Sequence, residues 1–248
     1  MTDINESSPS IPAEHAAPPP PGSTGTWLEI LLCSGYPTQI AIGGALMAMG
    51  LSPGSSAQTL SPRFVFALSL LDTVILLSLI IFLLVRRGER PMDVFFGRKP
   101  ALAEAAFGVM SVPFVFTVVI ALMVSIMRFL PELHNVPKNP LENFLGTQVG
   151  IWMFLFVAIV AGGVREELQR AFLLHRFKND LGQPWMGLLI ASISFGLGHT
   201  MQGNDAAIIT GVLGAIWGAM YLIRGSALAS MVSHSLFNSG ELLRIFLR

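Results

Sequence analysis

Three short motifs in the second half of the chain combine side chains that can activate water and stabilise an oxyanion. They are VREELQRAF, FGLGH and HSLFN. The candidate site residues in them are Glu166, Glu167, Arg170, His199, His234 and Asn238. A carboxylate and one imidazole can take a proton from water, while the other imidazole and the carboxamide can stabilise a developing oxyanion. This set of side chains is typical of water-mediated amide hydrolysis.

The charges of the first motif follow an almost wholly apolar run, GIWMFLFVAIVA. Residues 166–177 contain no helix breaker, so we expect one helix to continue to a turn near 178–184. Glu166 lies 12 residues before this turn and His199 lies 15 residues after it. At about 1.5 Å per residue, each lies roughly 18–22 Å from the turn, well inside a hydrocarbon core about 30 Å thick. The sequence therefore favours a carboxylate held at membrane depth over a wetted helix end.

Helical spacing indicates which carboxylate does the chemistry. Glu166 and Arg170 are four residues apart and share a helix face, so we expect Arg170 to hold the Glu166 carboxylate. Glu167 points about 100° away, so we expect Glu166 to be the base and Glu167 to be the weaker candidate. His234 and Asn238 also share a face, and both can be directed at one point.

The same side chains are also compatible with a metal site. A carboxylate and two imidazoles can ligate Zn²⁺, with water in the fourth position. The ligands would then be Glu166, His199 and His234. The sequence leaves two alternatives open, namely no cofactor or one divalent metal such as zinc.

The amino-acid composition indicates that these candidate site residues belong to a membrane protein. The chain has 248 residues, of which 52% are hydrophobic and only 12% are charged, against about 25% charged in globular proteins. Its mean hydropathy is +0.65. Several apolar stretches of about 20 residues predict an all-α, polytopic bundle of transmembrane helices. The formal net charge of zero gives no indication of a nucleic-acid partner, and the single cysteine, Cys33, excludes an internal disulfide.

Seven apolar segments are candidate membrane spans. They lie at about 27–50, 64–85, 105–130, 147–178, 184–203, 206–223 and 226–246. Pro37 predicts a kink in the first. Polar groups inside a bilayer mark function, and beyond Asp72 most of them fall in the last four spans. We therefore predict a catalytic transmembrane core at 147–248, N-terminal transmembrane helices at 27–146, and a disordered, proline-rich tail at 1–26.

The three motifs resemble those of the CAAX protease and bacteriocin-processing family of intramembrane proteases, also called the ABI family. That family has E-E-x-x-x-R, F-x-x-x-H and H-x-x-x-N or D on separate transmembrane helices. Residues 195–199 and 234–238 match fully, and the resemblance covers about 147–240. The first motif departs from the pattern, because Arg170 follows Glu166 by four residues instead of five. The resemblance implies that a glutamate of this motif is the catalytic base.

What the resemblance implies for function is an intramembrane endopeptidase in contact with membrane lipid. Its substrates would be peptides or proteins, such as the C-terminal region of prenylated proteins or membrane-associated leader peptides. We expect a multi-pass protein of a bacterial cell membrane. Two alternatives remain, a non-catalytic scaffold that keeps the fold and a proton-coupled transporter with a buried polar relay. A transporter predicts internal repeats, and none is evident in the sequence.

The distribution of Lys and Arg predicts the orientation of the chain. The densest basic patch lies in 86–99, so this loop should be cytoplasmic, and with seven spans the N-terminus is cytoplasmic too. A cysteine introduced at Asp93 should therefore react with a membrane-impermeant thiol reagent added from the cytoplasmic side. Labelling of that cysteine from the external side only would contradict the seven-span topology.

Overall fold

The computed structural model describes residues 24–54, 60–137, 139–140, 144–145 and 148–246. Within these ranges the chain is α-helical, and its only pairing of extended backbone is an isolated bridge between Gly54 and Leu60. The predicted all-α class is thus confirmed. The first helix begins at Thr24, three residues earlier than expected, and the remainder of the predicted tail, 1–23, lies outside the described residues.

The helices follow one another with short connections. They are α1 (Thr24–Leu32), α2 (Tyr36–Ala48), α3 (Pro62–Arg86), α4 (Pro91–Phe95), α5 (Ala101–Phe129), α6 (Gln148–Val157), α7 (Glu166–Asn179), α8 (Pro184–Leu197), α9 (Asn204–Arg224) and α10 (Leu228–Phe246). Between α6 and α7 the segment Ala158–Arg165 is π-helical, so 148–179 is one continuous helical stretch. Short 3₁₀ turns occupy Pro131–Leu133 and Thr200–Gln202.

Among the described residues, three helices are long and apolar enough to cross a membrane, namely α3, α5 and α9. The pair α1 and α2 adds a fourth span if the two are taken together, since they are bent by 46° at a short break. That break lies before Pro37, which sits in the first turn of α2, where proline is well tolerated. Gly35, with φ of 91°, makes the bend possible. A seven-span arrangement remains a prediction.

A polar cluster joins α1, α7 and the connection after α3 at one end of the bundle. Arg176 of α7 is fully buried, and its Nε donates to Glu29 at 2.8 Å while its Nη1 donates to Glu89 at 2.7 Å. Arg87 donates to Glu29 at 2.9 Å. Burial alone would raise the pKa of Glu89, but hydrogen bonds from His175 and Arg176 outweigh this and lower it. Since a buried cation without a partner is strongly destabilising, this cluster fixes α7 in the bundle.

Glycines allow α10 to approach its neighbours closely. A Cβ added at Gly108 of α5 would lie 2.5 Å from the Ala229 carbonyl oxygen and 2.8 Å from Val232 Cβ. A Cβ added at Gly163, in the π-helical segment, would overlap Ser235. Small residues at such crossings are typical of helix packing in membranes. The position of α10, which carries two of the predicted site residues, therefore depends on these contacts.

This packing predicts a difference between two Gly→Ala substitutions. Gly108→Ala should lower the free energy of unfolding by about 1–3 kcal/mol, because the added methyl group overpacks the α5–α10 crossing. Gly44→Ala in α2 is the matched control, since nothing lies within 4 Å of its added Cβ. Thermal unfolding in detergent measures both variants. Equal losses in the two would contradict the close approach of α5 and α10.

Candidate functional site

A cavity of about 270 Å³ lies where α2 and α3 meet the helices of the C-terminal core. Three of the predicted site residues line it, Glu166, Arg170 and His199. The others, Glu167, His234 and Asn238, are not among the described lining residues. The six therefore divide into a group that reaches the cavity and a group that lies beside it.

Glu167 is buried between two partners. Only 1% of its surface is exposed, its Oε1 is 2.9 Å from Nδ1 of His234, and the same oxygen accepts a hydrogen bond from Arg170 Nη1. Its Oε2 has no partner among the described residues. The predicted pair of Glu166 and Arg170 is therefore wrong, since Arg170 pairs with Glu167.

The reason for this difference is that residues three and four apart are both neighbours on a helix. Burial decides between them, because a carboxylate removed from water needs a counter-ion more than a partly solvated one does. Glu166 keeps 20% of its side chain exposed, and its nearest charged neighbours are Arg165 and His234, each 4.0 Å away. Its carboxylate is thus directed at the cavity without a direct partner.

His234 is held in one orientation by two contacts. Its ring stacks on Trp217 with centroids 3.8 Å apart and planes 15° apart, and its Nδ1 contacts Glu167. With Glu167 ionised, Nδ1 carries the proton, so we assign Nε2 as the second reactive atom. This Nε2 lies 4.0 Å from Glu166 Oε2.

His199 follows the end of α8 and is also oriented by a hydrogen bond. Its Nδ1 is 2.8 Å from the carbonyl oxygen of Phe195, which assigns the proton to Nδ1 and leaves Nε2 as an acceptor. The Phe195 ring contacts the imidazole edge-on at 4.8 Å between centroids. The guanidinium of Arg170 lies 4.6 Å from the centre of the same Phe195 ring. The same ring lies edge-on to His234 with centroids 6.3 Å apart, so Phe195 connects the two groups of site residues.

Asn238 contacts the π-helical segment. Its Nδ2 donates to the carbonyl oxygen of Ala158 at 3.1 Å, where the helix changes from α to π register. It also packs against Gly162, whose added Cβ would lie 2.7 Å from Nδ2. The sequence placed Asn238 on the face of His234. In this arrangement its amide is bound to backbone, away from the cavity lining.

Helices α2 and α3 contribute residues to the site that the sequence did not indicate. Asp72 of α3 is buried and pairs with Arg165, and Thr38 Oγ1 donates to Asp72 Oδ1 at 2.5 Å. Tyr36 Oη donates to the Ser194 carbonyl at 2.6 Å. A lone acidic residue in an apolar span was a signal for Asp72, but nothing in the sequence identified its partner.

A loop segment is fastened beside His199. His134 lies with its Nδ1 2.6 Å from Asp205 Oδ2. Asn139 Nδ2 donates to Gln202 Oε1 at 3.1 Å. Because Gln202 lines the cavity, this loop is tied to the cavity rim.

The metal alternative that the sequence left open requires three ligands at one point. Among the described residues there is no group of three or more His, Cys, Asp or Glu side chains positioned to hold a metal ion. Of the three residues considered as ligands, Glu166 and His234 have their facing atoms, Oε2 and Nε2, 4.0 Å apart. The chemistry derived below therefore uses protein groups and water alone.

Comparison with known proteins finds one matching family. Residues 147–240 match the Rce1-like family, described as type II CAAX prenyl endopeptidase Rce1-like. No curated protein and no solved structure matches the chain. The matched range contains all six predicted site residues and excludes α2 and α3, which also line the cavity.

The two adjacent carboxylates should differ in their effect on stability. Glu167→Gln should lower the free energy of unfolding by about 3–5 kcal/mol, because it leaves the buried Arg170 without its counter-ion. Glu166→Gln, the same substitution one residue earlier, should change it by less than about 1 kcal/mol, since that side chain is partly exposed. Thermal unfolding in detergent compares the two. A larger loss for Glu166→Gln would contradict the assignment of Glu167 as the ion-paired carboxylate.

Proposed function

We propose that this chain, which belongs to the CAAX protease family through its residues 147–240, hydrolyses peptide bonds inside the membrane with water activated by Glu166. One observation carries the proposal. Glu166 and His199 line the same cavity, while Glu166 also lies 4.0 Å from an oriented His234. A partly solvated carboxylate beside two imidazoles is suited to general-base chemistry.

The first step is attack of water on the substrate carbonyl carbon. Glu166 takes a proton from this water, and Nε2 of His199 accepts its second hydrogen bond. As the C–O bond forms, the negative charge moves to the carbonyl oxygen. When the C–N bond breaks, Glu166 returns its proton to the leaving amine, which becomes the new N-terminus.

The remaining residues support this step. Glu167 accepts the Nδ1–H of His234 and holds its Nε2 beside Glu166. In the doubly protonated ring, Nε2–H donates to the oxyanion and keeps its proton throughout the step. Glu167 is thus a positioning residue, and Arg170 balances its charge. A role for Asn238 as a second oxyanion donor requires its amide to leave the Ala158 carbonyl.

Substrates follow from the location of the cavity and from the family. The family description names CAAX prenyl endopeptidases. We propose that this chain processes either the C-terminal region of lipid-modified proteins or membrane-associated leader peptides. The seven-span topology, with a cytoplasmic N-terminus, is part of the same proposal, because it brings α7 and α8 to membrane depth together.

If these residues act as one catalytic unit, the losses of cleavage rate in the single variants should not add up in the double variant. Glu166→Gln should reduce the cleavage rate of a quenched fluorescent peptide library by about 10²–10⁴-fold. His199→Ala combined with His234→Ala should be no slower than the slower single variant, since residues that act as a unit are not additive. Initial rates of the purified protein in lipid vesicles measure both effects.

The control for this experiment is His175→Ala, because that imidazole lies near the end of α7 and contacts Glu89 at 3.3 Å, away from the cavity. Its rate should stay close to wild type. Cleavage that survives the double variant would contradict the shared site. A folded wild type that cleaves no library member would favour the scaffold or the transporter.

A further inference from the structure

Part of the cavity lining comes from outside the matched family range. The α1–α2 connection, α2 and α3 contribute seven residues, and apart from Gly35 and Leu68 they are polar. These polar residues are Ser34, Tyr36, Gln39, Ser69 and Asp72. We call them, together with Arg165, the polar wall. Because this wall lies next to Glu166 in the cavity, a peptide that reaches the base also meets these groups.

The polar wall is an ordered hydrogen-bonded surface. Asp72 binds Arg165 and accepts a hydrogen bond from Thr38, and Gln39 Nε2 lies 3.4 Å from Asp72 Oδ2. Tyr36 ties the wall to α8 through the Ser194 carbonyl. The wall is therefore held in place before any substrate binds, which reduces the entropic cost of binding.

Two groups of this wall have unused hydrogen-bonding capacity. No hydrogen bond among the described residues uses the carbonyl oxygen of the Gln39 side chain, which is exposed in the cavity lining. Arg165 Nε is buried and likewise has no partner in the described part of the chain. Only the Gln39 amide is accessible to a ligand, and an aliphatic side chain placed here would leave it unpaired, which sites built to hydrogen-bond strongly disfavour.

We propose that the polar wall is a substrate subsite for a neutral hydrogen-bonding side chain, such as Gln, Asn, Ser or Thr, with Gln39 as its main specificity residue. The inference rests on the proposed peptidase function and specifies its substrate class. It places a polar peptide segment in the cavity, so any lipid group on the substrate stays outside. The cavity volume of about 270 Å³ lies just below the roughly 300–1,000 Å³ of ordinary ligand pockets, so the subsite takes only a short stretch of peptide.

Charge narrows the class to neutral residues. The charge of Asp72 is balanced by Arg165, and that of Arg170 by Glu167, so the Glu166 carboxylate is the unbalanced charge of the lining. A carboxylate on a substrate in the cavity would be repelled by the Glu166 carboxylate. A side-chain amide or hydroxyl offers both a donor and an acceptor without this repulsion.

Single-residue peptide series test the subsite. Cleavage rates by the wild-type protein in vesicles are compared for quenched peptides that are identical except for Gln, Ser, Leu or Glu at one position. That position is scanned over three residues on each side of the cleaved bond. At one position Gln or Ser should be cleaved about tenfold faster than Leu or Glu. Gln39→Leu should reduce the Gln-to-Leu ratio about tenfold at that same position.

Gln183→Leu is the matched control, because Gln183 precedes α8 and is not among the cavity residues. It should keep the wild-type ratio. A wild type that prefers Leu at every position, or a Gln39→Leu variant with an unchanged ratio, would overturn the subsite and leave the peptidase proposal intact.

Binding separates this inference from the proposed function. Dissociation constants of the same peptides for Glu166→Gln, measured by competition with a fluorescent peptide, should show the same Gln-over-Leu preference, lost on adding Gln39→Leu. Hydrolysis of no peptide would refute the proposed function, and the binding ratios would still decide the subsite. Equal affinity for Gln and Leu peptides would overturn it.

Discussion

The contact of Glu167 with Arg170 and His234 is the interaction on which the rest of the site depends. All three side chains are at least 95% buried, and a charge in such surroundings persists only with an opposite charge and good hydrogen bonds. The contact links α7 to α10 and sets the ring orientation of His234. It also engages the guanidinium that would otherwise bind Glu166, so Glu166 stays available to the cavity.

A second polar contact works on the other side of Glu166. Arg165 contacts Asp72 of α3, Glu166 faces the cavity, and Glu167 contacts His234 of α10. Three consecutive residues of this helical stretch therefore face three different parts of the structure. The π-helical segment Ala158–Arg165 directly precedes this switch. A π-helical turn shifts the helical phase of the residues that follow, and such turns are frequent at functional sites. Asn238 and Gly163 hold that segment against α10.

Much of this arrangement was predictable from the sequence, because membrane helices follow from apolar length and polar residues stand out within them. The helical class followed from the apolar stretches, whereas the expectation that Glu166 and His199 lie at comparable depth followed from the length of the α7–α8 hairpin. Both residues line one cavity. The partner of Arg170 did not follow from the sequence, because spacings of three and four residues are equally close on a helix. The choice depended on which carboxylate the fold buries.

Nor did the sequence indicate that α2 and α3 contribute residues to the cavity. A single Asp72 in an apolar span indicates an interior partner, but contacts between residues 93 positions apart depend on how the helices pack. The bend between α1 and α2 was expected at Pro37, whereas the chain bends at Gly35. Proline fits the first turn of a helix, so its presence alone does not locate a break.

The central claim is that the cavity carboxylate, Glu166, performs the chemistry while Glu167 stays ion-paired. The most direct measurement is the identity of the carboxyl group that N,N′-dicyclohexylcarbodiimide modifies as peptide hydrolysis is lost, determined by mass spectrometry. Modification of Glu166 should rise in proportion to the lost activity, with Glu167 unmodified. Complete inactivation with the label on Glu167, or with Glu166 unlabelled, would contradict the account.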